Sequence, residues 1–373
     1  MVLLSRPWTP SPRLGRLACL AAVVGLVGLV GPARAAQAES KQALDATGWL
    51  QRIHRAAETV NYHGTMVVSA GGGLSSSRVW HFSVGDQRFE KREALDGQQR
   101  QVLRHNDEVH TRWPQARLAL VESQRSLPAG NVSPSAVEPR ALQQYVLRHQ
   151  GQGRVAGRVA EVFLLEPRDG LRYAQRLWAD SQTGLMLRAD IIGPQRSTLE
   201  SASFTEISIG VPPEPALVLL DMQRSEGYTV MQSPRRNADF EAEGWRLAQA
   251  VPGFALAGCM KRPMRDDRAD DTASRAPPQG SVAYGMARPG APASAPLPAP
   301  ADDVLQAVFF DGLTHVSLFI EPYRIDRHSR VERARLGATS TVMQRVGEHW
   351  VTAIGDVPDE TLRLFIRSLE LRR

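Results

Sequence analysis

The sequence predicts an α+β fold: a wide, curved, antiparallel sheet with few helices comes first, and a smaller domain of strands and a terminal helix follows. Three observations carry this reading. Stretches that alternate apolar and polar residues outnumber stretches of helical period, short Gly and Asp-Gly turns separate them, and a proline-rich segment near residue 210 divides them into two groups. With 373 residues the chain is long enough for two domains.

Residues 1–35 read as an export leader. Arg6, Arg13 and Arg16 precede an apolar run from Leu17 to Val30, and Ala33-Arg34-Ala35 offers a small-x-small cleavage site. The run is shorter than the roughly 20 residues that span a bilayer, so an exported, soluble mature protein is expected. Removing the four leader arginines leaves 41 basic against 39 acidic residues, which takes away the main support for a nucleic-acid partner. Cys19 falls inside the leader, where Arg16 replaces the aliphatic residue a lipoprotein signal needs. Cys259 is then the one mature cysteine, and the fold must rest on its core without an internal disulfide.

The mature chain opens with a helix in which Ala43, Leu44, Trp49, Leu50, Ile53 and Ala57 recur at helical spacing. Strands are expected near 62–70, 76–84, 87–94, 99–105, 107–113 and 117–122, with Gly71 to Gly73, Gly85-Asp86 and Asp96-Gly97 as turns. In the first hairpin Met66, Val68, Trp80 and Phe82 read as one apolar face. Pro128 to Pro134 interrupts the series, and a short helix is expected at 139–147. Strands at 154–157, 159–167, 171–180, 184–193 and 196–209 complete a first domain over 36–209, with Asp169-Gly170 as a hairpin turn. "GVPPEPALV" at 210–218 has neither period and opens a stiff linker over 210–225. The second domain, 226–373, contains a proline-rich stretch at 261–303 that is too poor in apolar residues to order itself. It resumes with two strands around Asp311-Gly312 and two around Gly347-Glu348, then a helix from Pro358.

Catalytic signatures are missing. No G-x-S-x-G occurs, "GQGRVAG" at 151–157 lacks the helix a phosphate loop needs, and Glu348-His349 has no second histidine. His105 and His110 read as falling on opposite strand faces, so no metal is expected. The prediction is therefore a binding protein without catalytic residues or cofactor. About ten strands with two helices leave part of the apolar sheet uncovered, and such a cleft suits acyl chains, each buried methylene contributing about 0.8 kcal/mol. The candidate lining is Met66, Val68, Trp80, Phe82, Trp113, Phe163 and Trp178. Arg78, Arg88, Arg92, Arg104 and Arg112 are the candidates for acidic groups of lipid or peptide.

Beyond these features, "WLQRIHRAAETVNYHGTMVV", with Tyr62-x-Gly64-Thr65, resembles the opening of the RseB/MucB family of periplasmic sigma-E regulators. "LWADSQTGLMLRADII" is similar to its mid-chain hairpin through Leu177, Trp178, Asp180, Gly184, Leu185 and Leu187. "GWRLAQAVPGF", "FFDGLTHVSLFIE" and "HWVTAIGDVPDETLRLFIRSL" extend the likeness through the second domain. The resemblance implies a half-barrel like the LolA and LolB lipoprotein carriers, with helices on its concave side, joined to a smaller mixed α/β domain. It further implies a periplasmic negative regulator that grips the periplasmic domain of an RseA/MucA-type anti-sigma factor, shields it from proteolysis, and lets go when lipid or lipoprotein signals arrive. A lipoprotein carrier is the alternative, and the additional domain after residue 210 favours the regulator.

Overall fold

A computed structural model describes residues 47–123, 137–232, 236–263, 303–326, 328 and 333–372. The expected leader, the Pro128 to Pro134 break and residues 264–302 of the proline-rich stretch lie outside them. A helix over 47–59 (α1) leads into a meander of six strands: β1 (Tyr62–Ala70), β2 (Gly73–Val84), β3 (Gln87–Ala94), β4 (Gln101–His105), β5 (Glu108–Trp113) and β6 (Leu118–Ser123). One 3-10 turn (Pro139–Gln143) precedes a second meander of β7 (Tyr145–Val155), β8 (Arg158–Pro167), β9 (Ala174–Asp180), β10 (Met186–Ile192) and β11 (Thr198–Ile209). Helix α2 (Ala216–Gln223) and strand β12 (Thr229–Gln232) follow.

β11 pairs antiparallel with β1 and β12 pairs parallel with β6, which gives the order β12-β6-β5-β4-β3-β2-β1-β11-β10-β9-β8-β7. The second lobe contains β13 (Arg236–Asn237), β14 (Trp245–Leu247), β15 (Ala255–Pro263), β16 (Asp303–Phe310), β17 (His315–Pro322), β18 (Arg333–Leu336), β19 (Thr339–Val346), β20 (His349–Gly355), α3 (Asp359–Ser368) and β21 (Leu369–Leu371). Its antiparallel sheet runs β13-β15-β16-β17-β20-β19-β18, and β14 pairs with β21. Leu362, Phe365 and Ile366 of α3 fill the core of this lobe against Phe254, Phe309, Val342 and Val351. Asp359 and Glu360 in the first turn of α3 and Arg367 in the last complement its dipole.

Several of the expected elements need correction. The helix expected at 139–147 is a single turn, because Tyr145 and Leu147 are drawn into the ladder of β7 and the core beneath α1. The supposed linker contains α2, whose apolar residues lie on every side and so give no period: Val218 is buried, whereas Leu217 and Leu220 are exposed. Thr229–Gln232, placed in the second domain by the sequence reading, is an edge strand of the first sheet. Finally, Leu171 to Tyr173 leave the expected strand 171–180 before β9 begins, since all three are engaged by the second lobe.

The register decides which residues share a face. The two-residue Gly71-Gly72 turn pairs Ala70 with Gly73, so Met66 faces Ser77 and Val68 faces Ser75. Directly paired residues point the same way and successive residues alternate. Trp80 and Phe82 therefore point away from Met66 and Val68, correcting the reading of one shared apolar face. Following the pairs outward, Val68, Ala202, Ala189, Leu177, Phe163 and Leu147 share the first face. Leu50 and Ile53 of α1, and Ala141 of the 3-10 turn, cover that face. The helical segments the sequence foresaw thus sit together. On the opposite face α2 packs Val218 against Phe82, Phe89 and Leu103.

Gly64 permits a close crossing: a Cβ there would stand 2.3 Å from the Glu206 carbonyl oxygen, beside the β1–β11 bulge at Thr65/Met66. Gly64→Ala is expected to cost about 1–3 kcal/mol by forcing the strands apart, as measured by thermal unfolding.

Candidate functional site

The seven apolar candidates do not line one trough. Met66 and Val68 are buried among Tyr62, Val79, Ala202, Phe204 and Ala56 of α1. Phe163 is buried beneath Leu50 and Ile53, with its ring 5.1 Å from that of Trp49. Trp113 shares their face but sits at the far end of the β5–β6 ladder, half-buried and paired with Leu118. Phe82 is buried under α2 on the other face, and Trp80 packs partly against the same cluster between Arg78 and Lys91, whose charges approach its ring to 5.9 and 5.4 Å. Trp178 is also on that second face, where the Arg188 guanidinium stacks 4.4 Å from its ring. Arg188 in turn donates to both oxygens of Asp190, each at 2.8 Å.

The arginines divide in the same way. Arg88, Arg92 and Arg104 point to the α1 face, while Arg78 and Arg112 point to the other. On the α1 face Glu90 sits between Arg92 and Arg104 and beside buried His81, 3.6 Å away. Burial alone would raise the Glu90 pKa, but the hydrogen bond and charge of His81 and the charges of Arg104 and Arg92 outweigh it and lower the value to about 2. Arg112 is no free cation: it is buried, donates to the carbonyl oxygen of Arg224 at 2.6 Å and stacks on Tyr228, pinning the chain where it leaves α2. The expectation of a partner contact at Arg112 is therefore corrected to a structural clamp.

His105 and His110 share a face, contrary to the sequence reading, because β4 and β5 pair Leu103 with His110 and His105 with Glu108 across a two-residue turn. They bond separately, His105 to Gln87 Oε1 at 3.1 Å and His110 to Glu108 at 2.6 Å. Among the described residues no group of three or more His, Cys, Asp or Glu is placed to hold a metal ion.

A densely bonded polar site lies where the lobes meet, and sequence reasoning passes over it. Asp311, read only as part of a hairpin turn, accepts hydrogen bonds at Oδ1 from the amides of Leu313 and Thr314. Its Oδ2 accepts from Arg172 Nε at 2.6 Å and from Tyr145 Oη at 3.2 Å. The Arg172 and Asp311 side chains are both fully buried. Arg172 also donates to Asp169 and to the Pro252 carbonyl oxygen, each at 2.6 Å, and stacks 4.4 Å from the ring of Phe254. Burial and the charge of Asp311 hold the Tyr145 pKa well above that of a free phenol. The tip after Asp311 needs glycine: Gly312 has φ +103°, and a Cβ on it would stand 2.8 Å from the Ala141 nitrogen. Its carbonyl oxygen accepts from the Glu138 amide at 2.9 Å.

These lobes correspond to two known sequence units. The model described as MucB/RseB N-terminal domain matches residues 45–226, and that described as MucB/RseB C-terminal domain matches 239–370. The chain belongs to the MucB/RseB family. Among its relatives is the sigma factor AlgU regulatory protein MucB of Pseudomonas aeruginosa, 28% identical over 327 residues that make up 85% of this chain and 88% of that one. The sigma-E factor regulatory protein RseB of Haemophilus influenzae is 25% identical and covers 89% of this chain and 93% of its own. Among solved structures, the complex of Pseudomonas aeruginosa MucA/MucB superposes with a TM-score of 0.61 at 25% identity, over 88% of this chain and 99% of that chain. MucB in complex with MucA(peri) gives the same TM-score at 24% identity. Membership in this family fits the fold: an extended antiparallel sheet and a second lobe, with no helix among the described residues long and apolar enough to cross a membrane.

Proposed function

We propose that this protein is a periplasmic negative regulator of an envelope-stress sigma factor. It holds the periplasmic domain of an anti-sigma factor of the MucA/RseA type, shields it from proteolysis, and weakens its hold when acyl-bearing lipid or lipoprotein is present. The observation that carries the reading is the match of both lobes, over most of their length, to MucB, which has been crystallised with MucA. Holding a polypeptide needs surfaces and no bond breaking, in keeping with relatives that are regulatory proteins. Of the sequence candidates, Arg88, Arg92, Arg104 and Trp113 suit a role at the surface best, because they share the α1 face and none is fully buried. Met66, Val68, Phe82 and Phe163 act as core.

The mature chain, immobilised and offered the periplasmic tails of candidate anti-sigma factors, is expected to retain one tail and slow its cleavage by a site protease. Micelles of an acylated lipid are expected to weaken that binding at least tenfold, a coupling of about 1.4 kcal/mol. Retention of no tail would overturn the regulator reading, and affinity indifferent to lipid would remove the sensing half of it. Trp113→Ala is expected to blunt the lipid response with little effect on melting temperature, since the ring is half-buried at a strand end.

A further inference from the structure

Glu200 poses a problem that the family's function does not solve. It lies on β11, paired with Ala70 of β1 and Ile191 of β10, and is only 1% exposed. Neither carboxylate oxygen has a hydrogen-bond partner. A buried, unpartnered carboxylate costs far more than a buried carboxylic acid.

What buries it comes from the other lobe. The Gly337-Ala338 turn between β18 and β19 sits directly upon it: a Cβ on Gly337 would stand 3.2 Å from Glu200 Oε2, 2.9 Å from Ala70 Cβ and 3.1 Å from the Leu199 carbonyl oxygen. Ala338 is itself fully buried against Tyr173, Ile191 and Leu199 of the first lobe. Close by, Gly71 meets Leu336, where a Cβ on the glycine would come within 2.5 Å of Leu336 Cδ1.

The charged groups around this seat do not neutralise Glu200. Asp356, after β20, accepts from Thr339 Oγ1 at 2.6 Å and raises the Glu200 pKa by its charge. His315 of β17 is partly buried and feels the charges of both Asp356 and Asp311. Burial keeps its ring below its ordinary 6.5 and therefore neutral above that pH. Arg335 of β18 is committed to Tyr173 Oη at 3.0 Å and the Gly337 carbonyl oxygen at 3.3 Å, and the charge of Asp359 acts on the same Tyr173. Ser340 Oγ is buried without a partner. Desolvation and the like charge of Asp356 therefore carry the Glu200 carboxyl from 4.5 to about 8, with the Ala338 amide offsetting part of this without completing a hydrogen bond.

We propose that Glu200 is a proton-dependent brace between the lobes: as the neutral acid it lets the Gly337 turn stay seated on the first sheet, and as the carboxylate it drives that turn off. The inference stands apart from what the protein binds. Its sign follows from proton linkage. The seated state holds a proton that the unseated state, with Glu200 in water, gives up near pH 4.5. Seating is therefore strongest below that pH, weakens as pH rises, and stops changing once pH passes about 8. Within that window each pH unit changes the seating equilibrium by up to about tenfold.

Hydrogen exchange on the full mature chain between pH 6.5 and 9, corrected for intrinsic exchange, tests this at the amides of residues 336–340. Wild-type protection is expected to fall by up to roughly tenfold per pH unit and to level off above about pH 8, while amides of α3 hold constant. E200Q, which is neutral at every pH, is expected to keep its protection throughout. D356N removes the like charge, so its fall should level off at lower pH, and this arm decides the matter even where E200Q does not fold. A flat wild-type profile, an E200Q profile that falls like the wild type, or a D356N midpoint that does not move would each overturn the brace.

Discussion

Replacing Arg172 with alanine is expected to remove about 3–5 kcal/mol of stability and to separate the thermal unfolding of the protein into two transitions. The size follows from what would be stranded. Asp311 is fully buried and takes its strongest bond from Arg172 Nε at 2.6 Å, leaving only Tyr145 at 3.2 Å and two backbone amides to hold its charge. The change would also release the Pro252 carbonyl oxygen and the cation stacked on Phe254. The splitting follows from location: Arg172 belongs to the first lobe, while Asp311, Pro252 and Phe254 belong to the second. Arg172→Lys keeps the charge but offers one point donor in place of a planar fork, so it should recover less than half of the loss. Calorimetry of the three proteins decides it. A single transition for Arg172→Ala, shifted by less than a few degrees, would mean that the lobes hold together through their apolar contacts alone.

The same contact shows why the sequence disclosed the strands and hid the joint. Strand and turn signals are local: the Gly71-Gly72 turn and the Tyr62–Ala70 alternation are read within a dozen residues. Arg172 and Asp311 are 139 residues apart; Asp311 stands beside Gly312 and Arg172 two residues after Gly170, and both glycines make ordinary turn signals. Nothing short of the tertiary fold brings them together. Glu200, in "TLESASF", looks like any polar strand residue until the Gly337 turn is laid over it. Helix α2 was hidden for the opposite reason, since apolar residues all round its surface erase the period that reveals a helix. The sequence alone places Trp80 and Phe82 on the wrong face because a two-residue turn reverses the parity of the partner strand, and only the length of the turn carries that information. The family resemblance supplied the two-lobe plan, but not the register that sorts the candidates onto two faces.

That sorting has its sharpest consequence at Phe163. As an acyl-lining residue it would be cheap to truncate, because the cavity left behind would open to the trough and fill with lipid or water. The structure puts it instead at 2% exposure, covered by α1 and packed with Leu50, Ile53, Leu165, Leu177 and Met186, with the rings of Trp49 and His149 at 5.1 and 5.2 Å. Phe163→Ala is therefore expected to cost about 3–5 kcal/mol, the range for removing a fully buried aromatic ring from a core that relaxes only partly. Thermal unfolding with and without a short-chain lipid distinguishes the two roles. A core Phe163 predicts a large drop in melting temperature that lipid does not restore, whereas a lining Phe163 predicts a small drop and a loss of lipid binding. The helix above it should respond in parallel: Leu50→Ala, in the same cluster and 0% exposed, is expected to destabilise by about 2–5 kcal/mol. Because the two side chains touch the same core, the double variant should fall short of the sum of the singles. Additivity within about 0.5 kcal/mol would instead mean that α1 and β8 do not share a core, leaving that part of the sheet free for a ligand.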